Sequence, residues 1–254
     1  MARKKSRTGI YHIILRGTNR QVIFHDDEDN LRFLETLKRY KVEVEIKTLG
    51  WCLMSNHVHL LIEEGKEDIA VTMKRIEVSF AWYYNWKYRT TGHLFQDRYR
   101  SENIENDEYL MTVIRYIHQN PVKAGVVAQP SDWKWSSCKE YYDVEYYPTI
   151  LVDSSFILRL FSDDRITAVK RFIEFNEMQN EDSFLDDSKV KRLTDEEARV
   201  EMIKLITGIR ITEIKNLSKT QRDDMVKKAK GIKGVSQRQI ARILGISQAL
   251  VSNT

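Results

Sequence analysis

The sequence predicts an α+β fold, built on a split βαβ antiparallel sheet with flanking helices and followed by an all-helical C-terminal region. Three observations support this prediction. Short apolar or alternating runs suit strands, apolar residues recur at helical spacing between them, and the residue composition and pattern change after Gly125. The 254 residues suffice for one large domain or two modest ones.

The first third of the chain alternates between strand and helix patterns. Residues 10–15 form an apolar run typical of a buried strand, and residues 27–40 carry apolar side chains at helical spacing behind an acidic start. Residues 42–49 alternate apolar and charged side chains. After a break at Gly50, residues 52–62 predict a further strand that pairs with them.

A long helix, a strand and another helix follow. Residues 68–88 predict a helix rich in aromatic residues, and residues 93–104 contain an extended segment. Asn106 is suited to cap a helix over residues 107–119, which the following Asn-Pro pair should end. The order of elements is that of a ferredoxin-like sheet.

The domain organisation follows from composition. We predict one domain over residues 1–150, a helical connector with an acidic linker over residues 151–188, and a helical region over residues 189–254. The linker is placed at residues 177–188, which are polar and show no period.

Bulk properties indicate an ordinary cytoplasmic protein. No run of about eighteen apolar residues is present, and the basic N-terminus lacks the apolar segment of a secretory signal. Cys52 and Cys138 are too few for a disulfide scaffold and have no paired zinc spacing, so we expect free thiols.

Positive charge is concentrated near the N-terminus. The net charge is only +4, but all residues before Asp26 that carry charge are basic. They are Arg3, Lys4, Lys5, Arg7, Arg16 and Arg20. This favours contact with a polyanion, with a solvated basic tail as the alternative.

The sharpest motif is His57-Val58-His59. Because residues two apart on a strand project from the same face, His57 and His59 would present two imidazoles side by side, which suits a divalent metal. For an isolated pair, structural histidines satisfied by hydrogen bonds are the stronger interpretation.

A second motif lies in the helix predicted over residues 107–119 and just after it. Tyr116 and Asn120 are one turn apart, so a helix laid on the sheet could aim a phenol at a metal-bound phosphate while an amide oxygen completes the coordination. The alternative is that Tyr116 packs in the core and Asn120 caps the helix ahead of Pro121.

Several separated sequence strings, taken together, favour the functional interpretation of the His57–His59 pair, Tyr116 and Asn120 over the structural one. The His-Val-His string followed by a helix with one suitably placed tyrosine resembles the IS200-like single-tyrosine (HUH, Y1) transposases. Three further strings resemble the branch associated with repetitive extragenic palindromes. They are Arg-Gly-Thr-Asn-Arg at 16–20, His-Leu-Phe-Gln-Asp-Arg-Tyr at 93–99 and Arg-Tyr-Ile-His-Gln-Asn-Pro-Val-Lys-Ala-Gly at 115–125. The resemblance covers residues 8–142.

The resemblance implies an enzyme that cuts and rejoins single-stranded, hairpin-forming DNA. Tyr116 would be the nucleophile that forms a 5′-phosphotyrosine, and His57 and His59 would bind Mg²⁺ or Mn²⁺. Asn120 would be the third ligand, where better-known members have a glutamine, and His118 is a second-choice ligand or phosphate contact.

The resemblance also assigns DNA contacts. Basic and polar residues in or next to the same strings are expected to position the DNA, and they are Arg16, Asn19, Arg20, Arg98 and Arg100. Exposed aromatic residues could stack on unpaired bases, and the candidates are Trp82, Tyr83, Trp86 and Tyr88. Tyr99 and Tyr109 are the tyrosines most easily confused with the nucleophile.

Residues 235–252 resemble a helix-turn-helix, with a helix, a glycine turn and a second helix that would enter a major groove of double-stranded DNA. The contacts would come from Gln237, Arg238, Ser247 and Gln248. The sequence ends at Thr254, a turn or two into that second helix, so a shortened motif or a helix pair that only packs are the alternatives.

Two other classes share parts of the pattern. A replication- or conjugation-type HUH nickase uses the same histidine and tyrosine chemistry, and a non-catalytic helix-turn-helix regulator would use only the DNA-binding parts. The strings around Arg16, Phe95 and Asn120 favour the transposase branch. A homodimer and a monomer both fit the sequence, and we expect a bacterial, nucleoid-associated location.

Overall fold

The computed structural model describes residues 5–144, 151–180, 193–205, 217–232 and 234–253. The chain divides into two compact units, a first unit over residues 1–183 and a second unit over residues 184–254. Most of the predicted linker, from residue 181 onward, lies outside the described residues. No helix in the described ranges is long and apolar enough to cross a bilayer.

The first unit is built on a four-stranded antiparallel sheet with the strand order β2-β3-β1-β4. The strands are β1 (Ile10–Arg16), β2 (Lys47–Met54), β3 (His57–Glu63) and β4 (Arg100–Ile104). Because β3 lies between β1 and β2, the connection from β1 to β2 crosses over it. This is the split βαβ arrangement, and the predicted fold class is confirmed.

Helices cover both faces of the sheet. Those of the first unit are α1 (Asp27–Glu43), α2 (Ile69–Tyr88), α3 (Asp107–Lys123), α4 (Cys138–Tyr141), α5 (Ser154–Arg159) and α6 (Arg165–Glu177). Short 3-10 turns occupy Thr18–Arg20 and Pro130–Asp132. Side chains of Asp26, Asp68 and Asn106 accept hydrogen bonds from the first turns of α1, α2 and α3, which fixes where these helices begin.

The helices α1 and α2 pack together on the face opposite α3. A buried carboxylate, Asp29 of α1, ties them: it accepts hydrogen bonds from the hydroxyls of Tyr83 at 3.0 Å and Tyr88 at 2.7 Å and from Nζ of Lys87 at 2.9 Å. Because a buried carboxylate is costly unless its oxygens are paired, this network favours one arrangement of the two helices.

The prediction for residues 42–49 is wrong at its start. Residues 42 and 43 continue α1, and the strand begins only at Lys47. The alternation of apolar and charged residues that suggested a strand falls at the end of α1. Val42 is exposed in the last turn of the helix, and Val44 is buried just after it.

The predicted break at Gly50 is also wrong, because β2 passes through this residue with a shift of register between Thr48 and Gly50. A Cβ on Gly50 would lie 2.3 Å from Cδ1 of Ile114 in α3. Glycine at this position leaves room for the end of the Ile114 side chain, so the residue marks close packing of α3 on the sheet and not a turn.

The predicted end of the helix before Pro121 is wrong as well, because α3 continues to Lys123. Pro121 lies in the last turn, where its missing N–H costs a single intrahelical bond, and the backbone N–H of Ala124 still bonds to the carbonyl of Asn120 at 2.9 Å. Asn120 therefore stays on the helix, one turn after Tyr116.

The helices α5 and α6, which lie in the segment expected to be a connector, belong to the first unit. Asn176 of α6 faces α3, where its Oδ1 accepts a hydrogen bond from Nδ1 of His118 at 3.1 Å. Nε2 of Gln119 donates to the carbonyl of Asn176 at 2.7 Å. These bonds hold α6 against α3.

The second unit contains α7 (Asp195–Leu205), α8 (Lys219–Lys230), α9 (Gln237–Leu244) and α10 (Gln248–Asn253) around an apolar core. A capping box between Ser236 and Gln239 begins α9, and Gly245, with a φ of 65°, ends it. The hydroxyl of Ser247 accepts the N–H of Leu250 at 3.3 Å at the start of α10. The predicted order of helix, glycine turn and helix is present.

Candidate active site

The register of the sheet brings three histidines to one face. Ile14 lies opposite His59, and Arg16 lies opposite His57. Because alternate residues of a strand share a face, His57 and His59 lie on the same face as His12 and Arg16. The ring centroids of His57 and His59 are 5.0 Å apart.

The helix α3 lies over this face and adds Tyr116 and Asn120. The ring centroid of Tyr116 is 5.5 Å from that of His59, with the rings nearly perpendicular. Nε2 of His57 is 3.3 Å from Oδ1 of Asn120. The four side chains singled out as nucleophile and ligands therefore converge at one place.

The hydrogen bonds of His57 favour a cation between this histidine and Asn120. Nδ1 of His57 lies 2.6 Å from Oδ1 of Asn56, an acceptor, so Nδ1 carries the proton. In a neutral imidazole, Nε2 is then an acceptor, and it faces the Oδ1 acceptor of Asn120. Two facing acceptors are stabilised by a positive ion between them.

Two further residues of the site, His12 and Glu102, were missed from the sequence. Nε2 of His12 lies 3.2 Å from Nδ1 of His59, and its Nδ1 lies 3.3 Å from Oε2 of Glu102. The hydroxyl of Tyr109 donates to the same Oε2 at 3.0 Å. The sequence did show that His12 lies four residues before Arg16 in an apolar strand and therefore on the same face of it. Which residues lie next to His12 depends on the strand register, which the sequence does not give.

The donor set fits a divalent cation. Two imidazole nitrogens and an amide oxygen accept several such ions, including Mn²⁺ and Mg²⁺. Across the described residues, no group of three or more His, Cys, Asp or Glu side chains is arranged to hold a metal. An ion at this site would therefore depend on Asn120 and on oxygen ligands from outside the protein.

The site is largely closed, and Arg16 and Lys123 place positive charge beside it. Burial, followed by the nearby His57, His12 and Arg16, lowers the pKa of His59 well below its usual value, so His59 is neutral, the form that binds metals. Nζ of Lys123 lies 5.2 Å from the centroid of the Tyr116 ring. Tyr116 is only 1% exposed, so attack on DNA requires the side chains that cover it to move.

His118, the second-choice ligand, is not brought to the site. It is fully buried between α3 and α6, with Nδ1 bonded to Asn176 and Nε2 2.9 Å from Oγ of Ser137. The helical spacing explains this, since residues two apart on a helix point in different directions. That assignment is wrong, and His118 is part of the packing of α6 on α3.

Three of the predicted DNA contacts lie at the end of β1 that carries the site. Arg16 is half-buried, and Asn19 and Arg20 are exposed in the following turn with left-handed φ angles of 53° and 61°. The carbonyl of Arg20 accepts a hydrogen bond from Nδ2 of Asn56 at 3.3 Å, which links this turn to the residue beside His57.

Gly17 allows this turn to close tightly. A Cβ at this position would lie 2.4 Å from the carbonyl oxygen of Gln21, a backbone atom that cannot easily move. The other two predicted contacts are exposed: Arg100 begins β4, opposite Ile14, and Arg98 lies in the preceding loop.

The aromatic candidates for base stacking divide into two groups. Trp82 and Trp86 are 67% and 68% exposed on α2, whereas Tyr83 is buried and Tyr88 half-buried in the network around Asp29. Because α2 lies on the face opposite α3, the exposed tryptophans are separated from Tyr116 by the sheet.

The residues predicted to contact double-stranded DNA lie in the second unit. Gln237 and Arg238 are exposed at the start of α9, and Ser247 and Gln248 are exposed at the start of α10. Oε1 of Gln237 accepts a hydrogen bond from the hydroxyl of Ser252 at 3.1 Å, which joins the two helices.

Part of the first unit matches a known protein family. Residues 5–120 match the family described as "Transposase IS200 like". The match covers most of the residues that carry the sequence motifs, and it confirms the resemblance to IS200-like transposases that those motifs predict.

The relatives belong to the branch named for its association with REP sequences. A protein of Haemophilus influenzae named as a REP-associated tyrosine transposase is 28% identical over 128 residues, which are 46% of this chain and 70% of that protein. The REP-associated tyrosine transposase of Escherichia coli K12 is 29% identical over 90 residues, 35% of this chain and 52% of that protein. This chain therefore matches about half of the E. coli protein.

A solved structure has the same fold. The REP-associated tyrosine transposase bound to a REP hairpin superposes on this chain with a TM-score of 0.50 and 21% identity, covering 61% of this chain and 94% of the other. At this identity the likeness supports the fold alone.

Proposed function

We propose that this protein is a metal-dependent, single-tyrosine endonuclease and strand transferase of the transposase type, acting on single-stranded DNA. The observation that carries the proposal is the convergence of Tyr116 with His57, His59 and Asn120 on one face of the sheet, within a transposase-family domain. A purely DNA-binding protein would not need a buried tyrosine beside two imidazoles.

The reaction would proceed through a covalent intermediate. Oη of Tyr116 would attack the phosphorus of a phosphodiester, the phenolic proton would pass to water, and the bond from phosphorus to the 3′ oxygen would break. That oxygen would take up a proton and leave as a free 3′-hydroxyl, with the 5′-phosphate on Tyr116. Attack by another 3′-hydroxyl would then rejoin the DNA and restore the phenol without ATP.

The charges of the site suit this chemistry. A Mg²⁺ or Mn²⁺ ion held by His57, His59 and Asn120 would neutralise the charge that develops on the phosphate. Lys123 places a further positive charge beside the phenol, where it would stabilise a phenolate or the attacked phosphate.

The DNA would approach along the edge that Arg16, Asn19, Arg20 and Arg100 share with the site. Contacts of this kind fix the position of the backbone without reading its sequence. A solved protein of the same fold was bound to a REP hairpin, and we propose a hairpin-forming strand as the substrate class here.

The first test is formation of a covalent adduct. Hairpin DNA from the flanks of the gene should be labelled at its 3′ end, because the 5′-phosphate linkage keeps the downstream fragment on the protein. With Mn²⁺, a labelled band of protein size should appear on a denaturing gel, and the same DNA labelled at its 5′ end should give only a shorter free strand.

Metal removal provides the matched control. Excess chelator should reduce the adduct by at least about tenfold, and added Mn²⁺ should restore it, because a metal supplies several kcal/mol of charge stabilisation. Binding of the hairpin without an adduct at any metal concentration would contradict the proposal and favour a DNA-binding regulator.

We further propose that the second unit binds double-stranded DNA through α9 and α10. The exposed start of α9 carries Arg238, so Arg238→Ala should weaken binding to duplex DNA several-fold and reduce its dependence on salt by about one phosphate contact. Lys204→Ala, an exposed residue of α7, is the charge-matched control. Equal losses in both variants would contradict a specific role for α9.

A further inference from the structure

We propose that His12 and Glu102 form a relay that fixes the tautomer of His59 and so presents its Nε2 to the metal ion. This inference rests on the proposed function, since it assigns His59 to the ion. Neither residue is among those predicted from the motifs, and both act on the ion only through another side chain. They are positioning residues.

The relay starts at Glu102, whose charge dictates the direction of the bonds. An ionised carboxylate only accepts hydrogen bonds, so both of its partners at Oε2 must donate. The hydroxyl of Tyr109 does so at 3.0 Å, and Nδ1 of His12 does so at 3.3 Å. Nδ1 of His12 therefore carries a proton.

The second bond follows from the first. When His12 is neutral, its proton on Nδ1 leaves a lone pair on Nε2, and this atom lies 3.2 Å from Nδ1 of His59. His59 must then donate from Nδ1. Its Nε2 keeps a lone pair, which is the atom left to bind a cation.

The strand register makes this relay continuous across three strands. Glu102 of β4 lies directly opposite His12 of β1, and Ile14 of β1 lies opposite His59 of β3. His12 and His59 are thus diagonal neighbours on one face, a separation that long or aromatic side chains bridge. Both imidazoles are 0% exposed, so bulk water does not compete for these bonds.

His57 is oriented by a different device. It is half-buried, and its Nδ1 is paired with Oδ1 of Asn56 in the turn between β2 and β3. Both histidines therefore direct Nε2 toward the ion, one through a local amide and the other through a buried relay. Partners of this kind set the orientation and basicity of metal-bound histidines, and their loss typically weakens metal binding by about 10- to 100-fold.

The tautomer itself is the first readout. In the metal-free wild-type chain, nitrogen NMR of labelled histidine should show His59 protonated at Nδ1, with His59→Gln used to assign the signal. Protonation at Nε2 would overturn the relay. This measurement needs no variant of His12 and no DNA.

Metal affinity is the second readout, measured by titration of the full chain with Mn²⁺ and detection of free ion by electron paramagnetic resonance. His12→Phe removes the acceptor and should weaken Mn²⁺ binding by about 10- to 100-fold. His12→Gln keeps an acceptor near the position of Nε2 and should remain within a few-fold of wild type, a rescue that a purely packing role would not give. His93→Gln, an exposed histidine, is the control.

Different results would contradict the relay and the proposed function. Equal Mn²⁺ affinity in wild type and His12→Phe would overturn the relay, even if the covalent adduct forms. If the tautomer and affinities are as expected but no adduct forms on hairpin DNA, the relay stands as a metal-site device and the proposed enzymatic function is wrong.

Discussion

Tyr116→Phe should abolish the covalent protein–DNA adduct, lowering its rate of formation by at least about 1,000-fold, because no other group replaces a lost nucleophile efficiently. The ring of Tyr116 packs edge-on against His59 and His12, at centroid distances of 5.5 and 5.9 Å. Phenylalanine preserves those contacts, so the fold and the binding of hairpin DNA should remain. Adduct formation and hairpin binding are measured on the same preparation.

Two other tyrosines provide matched controls. Burial, and then the carboxylate of Glu102, raises the pKa of Tyr109 far above its usual value, which makes it a poor nucleophile. Tyr99 lies just before β4, with its backbone bonded to Glu77 on α2. Tyr99→Phe should retain the adduct in full, and Tyr109→Phe should retain it at a rate lowered only by loss of the hydrogen bond to Glu102. If one of these variants lost the adduct and Tyr116→Phe retained it, the nucleophile would be that other tyrosine and not Tyr116.

The parts of the fold and site that could be predicted are those carried by local patterns. The strand over residues 10–15 and the helix behind Asp26 follow from periodicity and capping, and the convergence of His57 with His59 follows from strand alternation alone. Tyr116 and Asn120 were placed one turn apart by helix geometry, and the structure keeps that spacing.

The parts that could not be predicted depend on register and tertiary packing. Nothing in the sequence sets Glu102 opposite His12, because this pairing depends on how β4 slides along β1. Gly50 looked like a strand break because the side chain that packs against it, that of Ile114, lies 64 positions away along the chain. Pro121 looked like a helix stop, but it lies in the last turn of α3, which continues to Lys123.

The surroundings of His118 also depend on tertiary packing. Its place in the family string suggested a ligand, but α6 encloses it, and the rings of Tyr141 and Phe172 pack against it. Burial lowers the pKa of His118 to about 3, although the hydrogen bond with Asn176 acts in the opposite direction. A protonated His118 is therefore incompatible with this packing.

Acidification should destabilise the first unit through this residue. Because the folded-state pKa lies below the unfolded-state value of about 6.5, the stability that neutral His118 contributes is fully present above about pH 6.5 and is lost as the pH falls toward 3. Between pH 7 and pH 5 the loss from this group is about 2 kcal/mol. The lowered pKa of His59 adds a loss of the same sign in the wild type.

Denaturant unfolding followed by tryptophan fluorescence measures this effect in the full chain, because all five tryptophans lie in the first unit. His118→Gln cannot titrate, so its free energy of unfolding should fall by about 2 kcal/mol less than that of the wild type between pH 7 and pH 5. The exposed His93→Gln should follow the wild type. If His118→Gln loses as much stability as the wild type over this interval, burial of a neutral His118 is not what couples the packing of α6 to pH.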